Sequence, residues 1–211
     1  MATRVKICGI NTDAALDAAA QAGADWIGFV FFPPSPRHVT PAQAARLSAQ
    51  NPGGPARVGL FVDPTDEDVA RTLDALALDI LQIYAAPGRA AALRARSGVP
   101  VWHAAGIQTP ADLPSAAPGV DGLLLDAKPP PGAALPGGNA LQFDWSLPRG
   151  WKAPLPWVLA GGLTPDNVAE AINLSGAPGV DVSSGVERSR GVKDPALIRA
   201  FVQAAKSSRA S

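Results

Sequence analysis

Eight short apolar segments recur along the chain at a mean spacing near 25 residues, most of them separated by stretches with helical patterning. They cover residues 5–8, 26–31, 58–62, 80–84, 99–103, 122–126, 157–160 and 180–183. Each is nearly continuous in apolar character rather than alternating, so each is expected to be a strand buried on both faces. That is the habit of parallel sheets, whose strands must be joined by long crossovers. No other feature of the chain narrows the choice of fold so sharply.

The crossovers carry helix signals. Helices are expected at 12–22, 41–50, 65–77, 88–97, 165–174 and 194–206. Thr40-Pro41-Ala42-Gln43 combines a capping threonine, proline at the first helical position and glutamine at the reciprocal capping position. Thr109-Pro110 and Thr164-Pro165 repeat the entry, Asp194-Pro195 is its aspartate version, and Thr65-Asp66-Glu67-Asp68 places acids against a helix N-terminus. Residues 110–117 are short and bounded by proline, 127–142 are rich in proline and glycine and read as a loop, and 144–150 suffice for little more than a turn. Eight strand–crossover units in 211 residues predict one domain, residues 1–211, built as an α/β (β/α)8 TIM barrel of eight parallel strands. A doubly wound open sheet is the alternative, and eight parallel strands in so short a chain favour closure.

Charge and composition exclude several partners. Eighteen Lys and Arg balance eighteen Asp and Glu, and no long basic run exists, so nucleic acid is not an expected partner. Local anion binding survives neutrality, because backbone amides can hold a phosphate. The single cysteine forbids an internal disulfide and fits a reducing compartment. The N-terminal residues lead straight into a strand with no secretory pattern, and no apolar run approaches a membrane span. A cytoplasmic protein with no membrane partner is expected. Monomer and homodimer both fit the sequence.

In such a barrel the site lies at the C-terminal strand ends. There the sequence places Cys8, Gln82, Tyr84, Asp126, Ser183 and Ser184, with Arg37 following the second strand. Taken singly, each has a bland reading: a lone small buried cysteine is usually inert, and an aspartate at a strand end usually caps a loop. Cys8 instead ends a strand two residues after Lys6, which puts both side chains on one face. An inward Lys6 would favour the thiolate; alternatively, it pairs with an inward carboxylate and fills the barrel. The seventh strand runs into Gly161-Gly162 and the eighth into Ser183-Ser184-Gly185, followed by Val186-Glu187-Arg188 as a candidate helix opening. Glycines that admit close backbone approach, at the two strand ends where barrels hold phosphate, predict a phosphorylated small-molecule substrate.

Over almost its whole length the chain resembles the phosphoribosylanthranilate isomerase family of tryptophan biosynthesis. The resemblance runs through Val5-Lys6-Ile7-Cys8-Gly9-Ile10, Gly28-Phe29-Val30-Phe31 with Ser35-Pro36-Arg37, Val58-Gly59-Leu60-Phe61-Val62 and Leu123-Leu124-Leu125-Asp126. It continues through Phe143-Asp144-Trp145, Leu159-Ala160-Gly161-Gly162-Leu163-Thr164-Pro165-Asp166-Asn167-Val168 and Gly179-Val180-Asp181-Val182-Ser183-Ser184-Gly185-Val186-Glu187. It implies an Amadori rearrangement of N-(5′-phosphoribosyl)anthranilate by general acid and base, with no cofactor and no metal. Cys8 would be the base and Asp126 the acid. Arg37 would hold the anthranilate carboxylate, Gln82 would contact substrate, and Gly161, Gly162, Ser183, Ser184 and Gly185 would hold the phosphate. Two departures stand out. The family often ends its fourth strand in Gln-Leu-His-Gly, where this chain has Gln82-Ile83-Tyr84-Ala85. A Gly-Thr-Gly-like turn becomes Gly138-Asn139-Ala140. The rival readings are a catalytically weak or inactive phosphate-binding barrel and the sister isomerase of histidine biosynthesis; the latter type carries aspartate on its first strand, against Cys8 here.

Overall fold

The computed structural model describes residues 2–130, 132, 137 and 141–208. In chain order the elements are β1 (Arg4–Cys8), α1 (Asp13–Gln21), β2 (Trp26–Val30), α2 (Pro41–Ala49), β3 (Ala56–Val62), α3 (Asp66–Ala75), β4 (Ile80–Tyr84), α4 (Pro87–Ser97), β5 (Val101–Ile107), β6 (Gly122–Ala127), β7 (Trp157–Leu159), α5 (Val168–Ser175), β8 (Gly179–Val182), a hairpin of β9 (Glu187–Ser189) and β10 (Val192–Lys193), and α6 (Pro195–Ser207). Strands β1 to β8 form a closed barrel, and β8 lies parallel to β1 with Lys6 level with Asp181 and Ile7 with Val182. Among the described residues, no helix is long and apolar enough to cross a membrane.

The expected strands form, with small shifts at their ends. Pro100 lacks the amide that a ladder needs, so β5 starts one residue after it and runs on to Ile107. The helix expected from residue 165 starts at Val168 instead. The Asn167 side chain accepts from the Thr164 amide at 2.7 Å and donates to the Gly162 carbonyl at 3.0 Å, which holds residues 164–167 as turn. Between β5 and β6 the proline-bounded stretch gives only a 3-10 turn at Pro110–Asp112. The Gly138-Asn139-Ala140 turn lies outside the described residues.

Side chains alternate across the strands. In β1, Val5 and Ile7 face the helices and pack in the outer core, while Lys6 and Cys8 face the barrel axis. The floor of the barrel is Trp26, Val58 and Val158 with Ile80 and Trp102, the two indoles meeting edge to face at 5.0 Å. Higher up, Ala104, Leu124 and Ala160 pack beside Tyr84. These small residues leave space at the C-terminal mouth, where a cavity forms.

Candidate active site

The cavity spans about 780 Å³ of space between atoms, open solvent at its mouth included. Its walls include Cys8, Arg37, Tyr84, Asp126, Gly161, Gly162, Asp181, Ser183 and Ser184. The barrel thus brings seven of the nine predicted site residues to one cavity. Gln82 is not among its walls. It is fully buried in β4, and neither its Nε2 nor its Oε1 finds a partner among the described residues. Gly185 also stands outside the walls. It packs so tightly on the Leu163 carbonyl that a Cβ there would collide with it.

Cys8 closes β1 and is 3% exposed. Lys6, on the same face, does point inward, and a Cβ on Gly28 would come within 3.0 Å of Cys8 Sγ and 3.2 Å of Lys6 Nζ. Glycine at that position of β2 leaves room for both. Lys6 also has a partner that was open from the sequence alone: its ammonium donates to Asp181 Oδ1 at 2.9 Å, both side chains being buried. Burial pushes the Cys8 thiol above its ordinary pKa, and Lys6 opposes that push without overturning it. The Asp181 carboxylate adds to the upward shift. For Lys6, burial pulls downward, but the charges of Asp181 and Cys8 outweigh it and hold the ammonium above 10.5.

Asp126 is the second-last residue of β6, level with Gly106 of β5. Its Oδ2 accepts from the Tyr84 hydroxyl at 2.9 Å and its Oδ1 from the Ala127 amide at 2.8 Å. Burial raises its pKa to about 6, helped by the Asp181 charge, while these two hydrogen bonds and Lys6 pull the other way. Lys128, close in sequence, turns aside to Asp112 at 3.1 Å.

Arg37 is not a solvated loop arginine. It is 4% exposed, and its Nε and Nη2 donate to Glu187 Oε1 and Oε2 at 2.7 and 3.0 Å, a forked pair. Glu187 also takes Lys193 Nζ at 2.9 Å and the Gly191 amide at 2.9 Å. Burial works against that carboxylate, but Arg37 and Lys193 bring its pKa down to about 2. Lys193 donates further to the Ser183 carbonyl at 2.8 Å, and Ser183 Oγ donates to the Cys8 carbonyl at 3.2 Å. The sequence reading missed Glu187 and Lys193 as site residues and took Val186-Glu187-Arg188 for a helix opening. The chain instead makes a 3-10 turn at Ser184–Val186 and then extends into the hairpin, because Glu187 is drawn back to Arg37 and Lys193.

Gly161 and Gly162 have φ of +89° and +65°, values that exclude most side chains. The amides of Gly161, Gly162 and Leu163 donate to no backbone acceptor among the described residues. They edge the cavity beside Ser183 and Ser184, as an anion cradle requires.

Comparison with known proteins agrees with this geometry. The family model for N-(5'phosphoribosyl)anthranilate (PRA) isomerase matches residues 5–204. A Granulibacter bethesdensis protein named N-(5'-phosphoribosyl)anthranilate isomerase is 54% identical over 207 residues, covering 98% of this chain and 99% of that one. The protein of that name from Paracoccus denitrificans is 55% identical over 207 residues and 96% of each chain. The crystal structure of phosphoribosyl anthranilate isomerase from Thermotoga maritima is similar at 34% identity, with a TM-score of 0.85 over 97% of this chain and 98% of that one. A crystal structure of such an isomerase in complex with reduced 1-(o-carboxyphenylamino)-1-deoxyribulose 5-phosphate matches at 33% identity, with a TM-score of 0.82 over 97% of this chain and 98% of that one. The chain belongs to the N-(5'-phosphoribosyl)anthranilate isomerase family.

Proposed function

We infer that this chain catalyses the Amadori rearrangement of N-(5′-phosphoribosyl)anthranilate to 1-(2-carboxyphenylamino)-1-deoxyribulose 5-phosphate, a step of tryptophan biosynthesis, with Asp126 as general acid and Cys8 as general base. The observation that carries the reading is the cavity itself. A carboxyl and a thiol face it from β6 and β1, an arginine fork stands at one side, and a Gly-Gly and Ser-Ser edge stands at β7 and β8. A substrate that carries a carboxylate, a phosphate and a ribose matches those groups.

The chemistry follows from the groups. Protonated Asp126 donates to the ribose ring oxygen. The C1′–O4′ bond breaks as the nitrogen lone pair forms C1′=N, giving an open, cationic Schiff base. An acid whose pKa is about 6 keeps a useful share of its protons near neutral pH. Ionised Cys8 then removes the C2′ proton, and the C–H electrons form C1′=C2′ as the C=N electrons return to nitrogen. The enolamine tautomerises to the ketone, a proton joining C1′ as the O2′ proton leaves. Burial favours the Cys8 thiol in the resting protein, so the base is the ionised fraction, whose proton passes to solvent before C2′ is deprotonated. Lys6 supplies one positive charge beside the sulfur, and the Schiff base supplies another at the moment the thiolate is needed. Arg37 stands in the cavity wall, where a guanidinium suits a planar carboxylate, and its forked pair with Glu187 fixes the direction of the guanidinium.

The test generates the substrate in situ and follows loss of its anthranilate-type fluorescence for the native protein, Cys8→Ala and Asp126→Asn. Native turnover should fall by a factor of about 10² or more in each variant. A folded native protein that binds inorganic phosphate yet turns nothing over would reject the reading in favour of a binding barrel.

A further inference from the structure

We propose that Tyr84 is the positioning residue of the catalytic carboxyl, holding Asp126 in one orientation through both of its protonation states. The inference rests on the acid role of Asp126 argued above.

Three observations carry it. The first is the hydrogen bond from the Tyr84 hydroxyl to Asp126 Oδ2 at 2.9 Å, made between the ends of β4 and β6, which are not neighbours in the barrel. The second is its complement on the other oxygen: Oδ1 accepts from the Ala127 amide at 2.8 Å, so the carboxyl is gripped at both ends and its plane is fixed. The third is cover. A Cβ on Gly137 would stand 2.5 Å from Asp126 Oδ2 and 2.9 Å from the Tyr84 hydroxyl, so the backbone of a glycine lies directly over the pair. A side chain there would break the bond or swing the carboxyl away.

A phenol is suited to this task. Its O–H can donate to Oδ2 both when the carboxyl is ionised and when it carries the proton destined for the substrate, so the contact survives proton transfer without competing for that proton. Burial and the Asp126 charge hold the phenol itself well above its usual range, so no new charge arises at Tyr84 during turnover. The charged and titratable groups facing Asp126 are Tyr84 from β4, Asp181 from β8 and Lys6 from β1, with Cys8 beside Lys6. Arg37, beyond β2, stands in the same cavity wall. Among these the Tyr84 hydroxyl is the one that touches the carboxyl without carrying charge.

Tyr84 is the only tyrosine in the chain, which makes the test clean. Tyr84→Phe removes only the hydroxyl. Growth on 3-fluorotyrosine changes only position 84 and makes the hydroxyl a stronger donor while keeping its shape. A donor to Oδ2 stabilises the carboxylate, so losing it raises the Asp126 pKa and strengthening it lowers that pKa. An acid works protonated, so activity falls as pH rises through its pKa. The alkaline limb of the kcat/KM profile assigned to Asp126 should therefore move up by about one pH unit in Tyr84→Phe, equivalent to a tenfold change in proton occupancy. In the fluorinated protein it should move down, and the single fluorine resonance should titrate with that limb. Limbs that stay in place in both proteins, with Asp126→Asn inactive, would overturn the Tyr84 assignment alone. Full turnover by Asp126→Asn would overturn the acid assignment and this proposal with it. The fluorine measurement needs no change of fold, so a poorly folding Tyr84→Phe would not shield the proposal.

Discussion

Lys6→Met should destabilise this barrel far more than a single surface charge would, and Asp181→Leu made in the same background should undo much of the damage. The Nζ to Oδ1 distance is 2.9 Å, and the side chains are 0% and 7% exposed. At an effective dielectric near 20 the attraction at that distance is about 6 kcal/mol. Removing each ion from water costs several kcal/mol, so the intact pair contributes little net stability. Removing Lys6 alone leaves the Asp181 carboxylate buried without its counter-charge, which costs about 3–5 kcal/mol. For a chain of this size each kcal/mol lowers Tm by about 2–4 °C, so the melt should fall by roughly 6–20 °C. The folded pKa of Lys6 lies above its ordinary 10.5, so this contribution is present at neutral pH and lost only as pH climbs past that value. Tryptophan fluorescence melts at pH 7 on the native protein, Lys6→Met, Asp181→Leu and the double variant complete a thermodynamic cycle. The double variant should lie well above the sum of the two losses, because apolar groups of similar volume tolerate that site. Additivity within about 0.5 kcal/mol would refute the reasoning, since it would mean that the two charges do not depend on one another.

Three further outcomes follow from the geometry. Glu187→Gln should raise KM more than it lowers kcat, because the variant loosens the Arg37 fork without touching Cys8 or Asp126. Since the Glu187 pKa is lowered from 4.5 to about 2, its stabilisation is full above pH 4.5, and the Tm gap between native and variant should close as pH falls from there towards 2. Gly185→Ala should push the strand-eight turn off the Leu163 carbonyl, and isothermal titration should find inorganic phosphate bound about tenfold more weakly, as expected for roughly 1.4 kcal/mol of overpacking.

Much of the fold was legible because the parallel strands are buried on both faces and therefore stand out as apolar runs. What breaks those runs is informative. Lys6, Gln82, Asp126 and Asp181 interrupt them, and all four face the barrel axis. The Lys6–Asp181 pair was hidden for a topological reason: the residues are 175 apart in sequence and meet only because β8 closes on β1. Knowing that closure, the register follows, since Lys6 precedes Cys8 by two and Asp181 precedes Ser183 by two. Tyr84 was visible as a polar strand end, but nothing local says that its hydroxyl reaches across to β6. Val186-Glu187-Arg188 misled as a helix start because local pattern cannot register a distant arginine, although the later Gly191, at φ +82°, is the kind of residue that turns a hairpin. Gln82 was expected at the substrate because it lies near a strand end; two residues of depth took it below the cavity floor.

The hairpin that carries Glu187 and Lys193 has a consequence for the birth of the molecule. Arg37 leaves the ribosome 150 residues ahead of the carboxylate that aims it. At about 5–20 residues per second, that interval is roughly 8–30 s. During it Arg37 has been made without Glu187, Lys6 without Asp181, and Cys8 without the Ser183 hydroxyl on its carbonyl. Competence therefore arrives late and all at once: the last strand completes the wall, neutralises the interior and orients the arginine together, so a nascent chain stalled before residue 193 holds a thiol and a carboxyl but not the site that uses them.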